Sequence, residues 1–166
     1  SDITVIDGCV KKVYANKEII TDDVILALGH SARDTFKLLY DMGIKMEPKA
    51  FSVCVRIEHL QSDINKCQYG IHANSKYLGA ADYKLSYHTK SGRGVYTFCM
   101  CPGGVVVASA SENNSIVTNG MSYYSRDGKN ANSAFLVSVT PDDFGHNPMD
   151  GIEFQRSIEQ KAFLIA

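Results

Sequence analysis

With 166 residues, 45% of them hydrophobic and 21% charged, the chain is long enough for one domain with a true core and needs no metal or disulfide staple to fold. A net charge of −1, with basic residues scattered as at Lys11-Lys12 and Lys45 to Lys49, excludes the electrostatic footprint of a nucleic-acid binder. No apolar run reaches the roughly 18 residues of a membrane-spanning helix, and the opening SDITVIDG has neither a basic nor an apolar leader region; a cytoplasmic protein without membrane contact is expected.

Residues 3–6 (ITVI), 10–14 (VKKVY) and 18–21 (EIIT) are short β-type runs separated by turn signals at Asp7-Gly8 and Asn16-Lys17, which predicts a small antiparallel ribbon. The ribbon begins with a strand and no leading cap, as a piece of a larger fold would. Val24 to Leu28 is a continuous apolar run ending at Gly29, the pattern of a strand buried on both faces. Ser31, with Asp34 three residues on, is placed to cap a helix over about 32–42. Phe36, Leu39 and Tyr40 give that helix one apolar stripe, and Gly43 stops it.

After Pro48 the texture becomes β. Phe51, Val53, Val55 and Ile57 alternate with Ser52, Cys54, Arg56 and Glu58, a half-buried strand. A short helix is predicted over 61–69 and loop over 71–81. Residues 83–88 and 95–100 form a hairpin around Lys90 to Gly94. Pro102-Gly103-Gly104 turns the chain into a strand at 105–110. Short strands are expected at 115–118 and 134–139 within an Asn/Ser/Gly-rich stretch, and a helix over 150–164. The fold class is α+β, with no internal repeat.

Several residues are of a type that carries chemistry. Gly29, His30 and Ser31 would sit between a strand end and a helix start, where α/β folds place anionic ligands; a plain turn is the ordinary alternative. No GxGxxG or GxxxxGK[ST] loop occurs, so this chain has no phosphate cradle of that kind. Cys99 and Cys101 are two apart on a strand and would share a face. They could form a redox pair, although cysteines in such positions usually pack as small hydrophobes. Arg56 and Glu58 share a face and would pair there, while His59 is the residue type for acid–base work near neutral pH. Asn119 and Asn132 bracket a polar stretch whose amides could line a pocket. The five cysteines lack CxxC spacing, so neither a metal site nor a disulfide framework is expected. The absence of a GxSxG elbow argues against serine-nucleophile catalysis.

Taken in order, ALGHSARDTF (27–36), FSVCVRIEH (51–59), LGAADYKL (78–85), YTFCMCPGG (96–104), TNGMSYYSRDGKNANSA (118–134) and GIEFQRSIE (151–159) resemble a bacterial family of FAD-dependent dehydrogenases. The resemblance implies a longer parent flavoprotein whose FAD module is built from two segments, with a β-rich substrate-side domain inserted between them. On that footing residues 1–44 would be a strand–helix remnant of the FAD module, and residues 45–166 the inserted mixed β-sheet domain with its C-terminal helix. The resemblance implies Gly29, His30 and Ser31 near the cofactor. It makes His59, Cys99 and Cys101 catalytic candidates, and Arg56, Asn119 and Asn132 substrate-binding candidates. The expected partners are a small-molecule substrate or NAD(P)H, with pairing of copies through exposed strand edges. This chain alone is expected to hold no FAD, or to hold it very weakly, because the resemblance implies that the glycine-rich loop and the C-terminal closing segment of the FAD site are both missing from it. The alternatives are a non-catalytic β-rich interaction or oligomerisation module, and a thiol redox centre without flavin.

Overall fold

The computed structural model describes residues 2–7, 9–15, 17–21, 24–110 and 112–165. Gly8 and Asn16, used in the sequence reading as turn signals, lie outside the described residues, as do Ser1, Asp22, Asp23, Ser111 and Ala166. The chain divides into two compact units, Ser1–Leu38 and Leu39–Ala166. The architecture is α+β and rich in strands.

The first unit holds the expected ribbon. Strands β1 (Asp2–Ile6), β2 (Cys9–Ala15) and β3 (Glu18–Ile20) pair as an antiparallel meander in sequence order. Asp7 and Lys17 take the left-handed backbone that tight turns demand, with φ of 52° and 76°. The strand expected at 24–28 is not formed: residues 24–29 carry no regular structure, and Ile25 is 92% exposed. An apolar run becomes a buried strand only where other strands pair with it on both sides, and no described strand pairs with this one. Helix α1 (Arg33–Asp41) follows, and it runs across the boundary between the units. Its start falls two residues after Ser31, and the Asp34 carboxylate accepts from the Thr35 amide at 2.8 Å. Gly43, at φ 76°, ends the helix through Gly43 N–H to Tyr40 O and Ile44 N–H to Leu39 O, a glycine-assisted C-terminus.

The second unit is built on an antiparallel sheet. Its members are β4 (Phe51–Leu60), β5 (Ser86–His88), β6 (Gly94–Cys101) and β9 (Asn130–Val139), in the order β4-β9-β6-β5. Central β9 is paired on both edges, and its residues 131–134 are buried. Between β6 and β9 in the sequence comes a separate two-stranded sheet of β7 (Gly104–Ser109) and β8 (Val117–Ser122). Helix α2 (Gln61–Tyr69) continues directly from β4 and ends in a 3₁₀ turn at Gly70–His72.

Directly paired residues share a sheet face, which sorts β4 and β9 into two sets. Phe51, Val53, Val55, Ile57 and His59 lie on one face with Ala131, Ser133, Phe135, Val137 and Val139; Arg56, Glu58, Asn130 and Asn132 lie on the other. Helices α3 (Pro141–Phe144) and α4 (Asp150–Ile165) cover one end of the first face. There Phe51 meets Phe144 and Phe154, with ring centroids 5.0 and 6.3 Å away. The β7–β8 sheet lies on the second face, as the contacts of Gly120 and Val106 show.

Helix α3 was not anticipated, although its signal is in the sequence. Thr140 and Asp143 form a capping box around Pro141 at the first turn. Asp143 also takes a two-pronged ion pair from Arg93, at 2.7 and 2.8 Å. Arg93 reaches on to the Ser138 carbonyl at 2.6 Å, tying the β5–β6 turn to the end of β9.

Backbone crowding is greatest where the turn before β7 crosses the segment before β9. Gly103 has φ 60°, and a Cβ there would overlap the backbone of Arg126; a Cβ on Gly128 would overlap the Gly103 carbonyl. Gly103→Ala is therefore expected to lower stability by about 2–4 kcal/mol, from left-handed strain plus overpacking. The readout is a fall in the urea midpoint at unchanged m-value. At the Arg93 contact, the guanidinium hydrogen bond, and then the Thr140 amide, hold the Asp143 carboxyl at about 2, down from 3.8. Because the folded value is the lower one, the contribution of Asp143 to stability is complete above the ordinary aspartate range. It is lost as pH falls through about 2. Carboxyl NMR titration should find that low midpoint, and Arg93→Gln should return it toward 3.8.

Candidate functional site

The face under the β7–β8 sheet brings together four residues singled out from the sequence: Arg56, Cys99, Cys101 and Asn132. Arg56 Nη1 donates to Asn132 Oδ1 at 2.8 Å, and Nη2 donates to the Cys99 carbonyl at 2.8 Å. Asn132 is fully buried, and its Nδ2 has no hydrogen-bond partner. Turning the amide over would set its NH₂ against the guanidinium, so the Arg56 contact fixes the orientation. Gly120 makes room for this pair: a Cβ there would overlap both Arg56 Nη1 and Asn132 Oδ1.

Arg56 and Glu58 do share a face, but each turns to a partner other than its neighbour. Glu58 accepts from the Val106 amide at 2.8 Å and from Asn130 Nδ2 at 2.6 Å. These bonds hold β7 over the main sheet by polar contacts, where the sequence reading expected a simple Arg–Glu pair.

The thiols are arranged by a bulge. Phe98 pairs with Ala134 and Cys101 with Asn132, so β6 carries one residue more than β9 in this interval. Cys99 sits in the bulge at φ 47°, and strand alternation does not apply across it. Cys99 is exposed and Cys101 half-buried, so the packing role as small buried hydrophobes does not hold for this pair. The Cys101 thiol donates to the Cys99 carbonyl at 3.4 Å, beside the Arg56 bond to the same oxygen.

The other candidates are placed elsewhere. His59 is an odd number of residues from Arg56, which puts it on the opposite sheet face. Its Nε2 hydrogen-bonds the Tyr83 hydroxyl at 2.7 Å, and its buried Nδ1 has no partner. Asn119 pairs across from Val107 and so lies on the opposite face of the β7–β8 sheet from Gly120. Its Oδ1 accepts from the Gly120 amide at 2.9 Å. Gly29, His30 and Ser31 are exposed in the turn before α1, in the first unit.

Sequence reasoning missed Gln61. It is buried at the start of α2; its Nε2 donates to the Ala81 carbonyl and to Asn65 Oδ1, and its Oε1 accepts from the Gly103 amide, all at 2.8 Å. Gln61 forms the floor of an open groove of about 620 Å³, walled by α2, residues 73–80 and residues 125–129. Its only advance sign was a glutamine at a strand-to-helix junction, too common to be read. Among the described residues no cluster of three or more His, Cys, Asp or Glu is placed to hold a metal ion. No described helix is long and apolar enough to cross a membrane.

The second unit is thus a β-rich α+β domain in which a small sheet is clamped over a larger one around a half-buried Arg56 paired with a buried Asn132. Residues 50–166 match the family described as "FAD-dependent protein, C-terminal domain-like", and the chain belongs to that family. A protein of Clostridium beijerinckii (strain ATCC 51743 / NCIMB 8052), described as "Uncharacterized protein", is 53% identical over 164 residues. That match covers 97% of this chain and 31% of the relative, so the chain spans about a third of the length of the relative it matches.

FAD is the group this family implies, and the residues at the clamp do not compose a cradle for it. The sequence lacks a glycine-rich phosphate loop. Arg56 is engaged with Asn132 and Cys99, and the Asn132 amide is closed off from solvent. No chemical step through the flavin is assigned to these residues.

The Arg56–Asn132 contact should be energetically coupled. Asn132→Ala is expected to cost about 1–3 kcal/mol by removing the buried amide acceptor of the half-buried Arg56 guanidinium. A double-mutant cycle with Arg56→Ala, read by urea unfolding, should return a coupling of about 0.5–3 kcal/mol; strict additivity would contradict the contact.

Proposed function

We propose that this chain is the substrate-side part of a longer FAD-dependent oxidoreductase. That protein would transfer a hydride between a small-molecule substrate, or NAD(P)H, and flavin held mainly by residues outside this chain. The observation that carries the reading is the family match over residues 50–166, which covers the sheet, the clamp and helix α4. Flavin supplies the hydride chemistry in such proteins, while the polypeptide supplies orientation and electrostatics. Within this chain the clamp offers the exposed Cys99 and the half-buried Cys101 to that chemistry; Arg56 steadies them through the Cys99 carbonyl, and the buried Asn132 amide acts through Arg56. The roles considered for His59, Asn119 and the Gly29-His30-Ser31 turn belong to the same proposal, each from its own separate location. Residues 1–44 would then belong with the FAD module and 45–166 with an inserted domain.

One observation favours a second reading, an interaction or oligomerisation module. Val55, Ile57 and Phe135 are 63, 44 and 40% exposed on one sheet face, with Val55 directly opposite Phe135. A contiguous apolar strip of this kind suits a protein contact.

Visible absorbance separates the readings. This chain and the full-length Clostridium relative are each saturated with FAD and desalted. The oxidoreductase reading expects flavin bands to persist in the longer protein and to be lost from this chain. Stoichiometric flavin on this chain would place the cradle among its own residues and overturn the division of labour. Loss of flavin from both would leave the interaction module as the surviving reading.

A further inference from the structure

Cys99 and Cys101 are brought into a relation that an ordinary strand would not give them. Between Phe98 and Cys101, β6 takes three residue steps while β9 takes two, from Ala134 to Asn132. Two strand steps cover about 6.6–6.8 Å, so three steps of β6 are folded into that length. The chain is shortened through Cys99 and Cys101. A disulfide requires Cα atoms about 4.4–6.8 Å apart. Residues two apart on a flat strand stand at the upper limit of that range, and the contraction at the bulge draws this pair inward from it.

The Cys101 side chain agrees with the backbone. The Cys101 sulfur is 3.4 Å from the Cys99 carbonyl oxygen, so it lies over the Cys99 residue and not away from it. Arg56 holds the same carbonyl at 2.8 Å, which steadies the peptide between the two thiols. Exposure distinguishes their roles, since Cys99 is open to solvent and Cys101 is half-buried. The other cysteines, Cys9, Cys54 and Cys67, stand singly on β2, β4 and α2.

We propose that Cys99 and Cys101 are a dithiol–disulfide pair that exchanges with low-molecular-weight disulfides of the glutathione type. The exposed Cys99 thiolate attacks one sulfur of the reagent, forming a mixed disulfide and releasing one reagent thiol. The Cys101 thiolate then attacks the Cys99 sulfur, closing the internal disulfide and expelling the second reagent thiol. Two protein thiols are oxidised and one reagent disulfide is reduced to two thiols, which carry off the two thiol protons. On closure the Cys99 carbonyl loses the Cys101 S–H donor and keeps Arg56. The exchange needs only this chain's own thiols and no flavin, so it stands or falls separately from the oxidoreductase reading.

The test uses the reduced 166-residue chain, equilibrated with mixtures of oxidised and reduced glutathione, acid-quenched and alkylated. Intact mass and peptide mapping then locate each modification. The wild-type chain should lose the mass of two hydrogens, with Cys99 and Cys101 jointly protected from alkylation, and excess reduced glutathione should reverse it. Cys101→Ser should stop at a glutathione adduct on Cys99. Cys99→Ser should react at Cys101 at least about tenfold more slowly than the wild-type chain reacts at Cys99, as exposure requires. A stable adduct on Cys99 beside a free Cys101 in the wild-type chain would overturn the proposal. So would a disulfide linking other cysteines or two copies of the chain, or full alkylation of both thiols under conditions that oxidise Cys9, Cys54 or Cys67. The wild-type measurement decides the matter even where a serine variant folds poorly.

Discussion

The structure of the larger unit depends on polar contacts made by the last residues of β4 and the first of α2. Arg56, Glu58 and Gln61 each reach a different piece of backbone: the β6 bulge, the β7 strand and the turn before β7. Hydrogen bonds to charged groups contribute about 1.5–3 kcal/mol each, against about 1 for neutral ones. Two of these contacts are of the charged kind and lie in exposed settings, while the buried Gln61 contact is neutral; together they are still a sizeable part of the stability expected of a domain this size. They also carry direction, which apolar contact lacks, and so they set the register of the small sheet upon the large one.

That arrangement explains why the buried centre is made of small and polar residues. Ala131, Asn132, Ser133 and Ala134 are buried along β9, and Gly120 faces Arg56 and Asn132 with no room for a side chain. Larger residues there would push the guanidinium off its acceptors. The aromatic packing lies instead at the far end of the sheet, where Phe51, Phe144 and Phe154 join β4 to α3 and α4. Arg156 ties α4 to Glu112, and Ser115 hydrogen-bonds Glu159, so the segment after β7 is anchored to the same helix. The α3–α4 end of the unit thus combines aromatic packing with ion pairs, while the Arg56 end is held mainly by polar contacts.

The local elements were readable because their signals are local. The alternation from Phe51 to Ile57, the helix over 61–69 and the C-terminal helix all emerge close to their predicted bounds. The apolar run at 24–28 misled because its pattern reports a need for neighbouring strands and says nothing of their presence. Helix α3 had a capping box at Thr140 and Asp143 that went unread for its brevity. The site was legible by residue type and not by arrangement. Arg56, Asn132, Cys99 and Cys101 were all singled out, yet their meeting depends on the register of β4, β9 and β6 and on one extra residue in β6. Spacing alone could not reveal that bulge, although the odd separation of Arg56 and His59 along one strand already assigns them to opposite faces.

Family membership and the clamp bear on function in different ways. The first ties the chain to FAD-dependent proteins; the second shows a rigid polar centre with a thiol pair at its margin. The claim that joins them is that β4 side chains, and Glu58 in particular, hold β7 and β8 onto the main sheet. Native-state hydrogen exchange measures this directly, by comparing the wild-type chain with Glu58→Gln. The account predicts that the Val106 amide and its neighbours in β7 and β8 exchange much faster in the variant, while the β4–β9 ladder keeps its protection. Unchanged exchange at Val106, or a uniform loss of protection across both sheets, would contradict it.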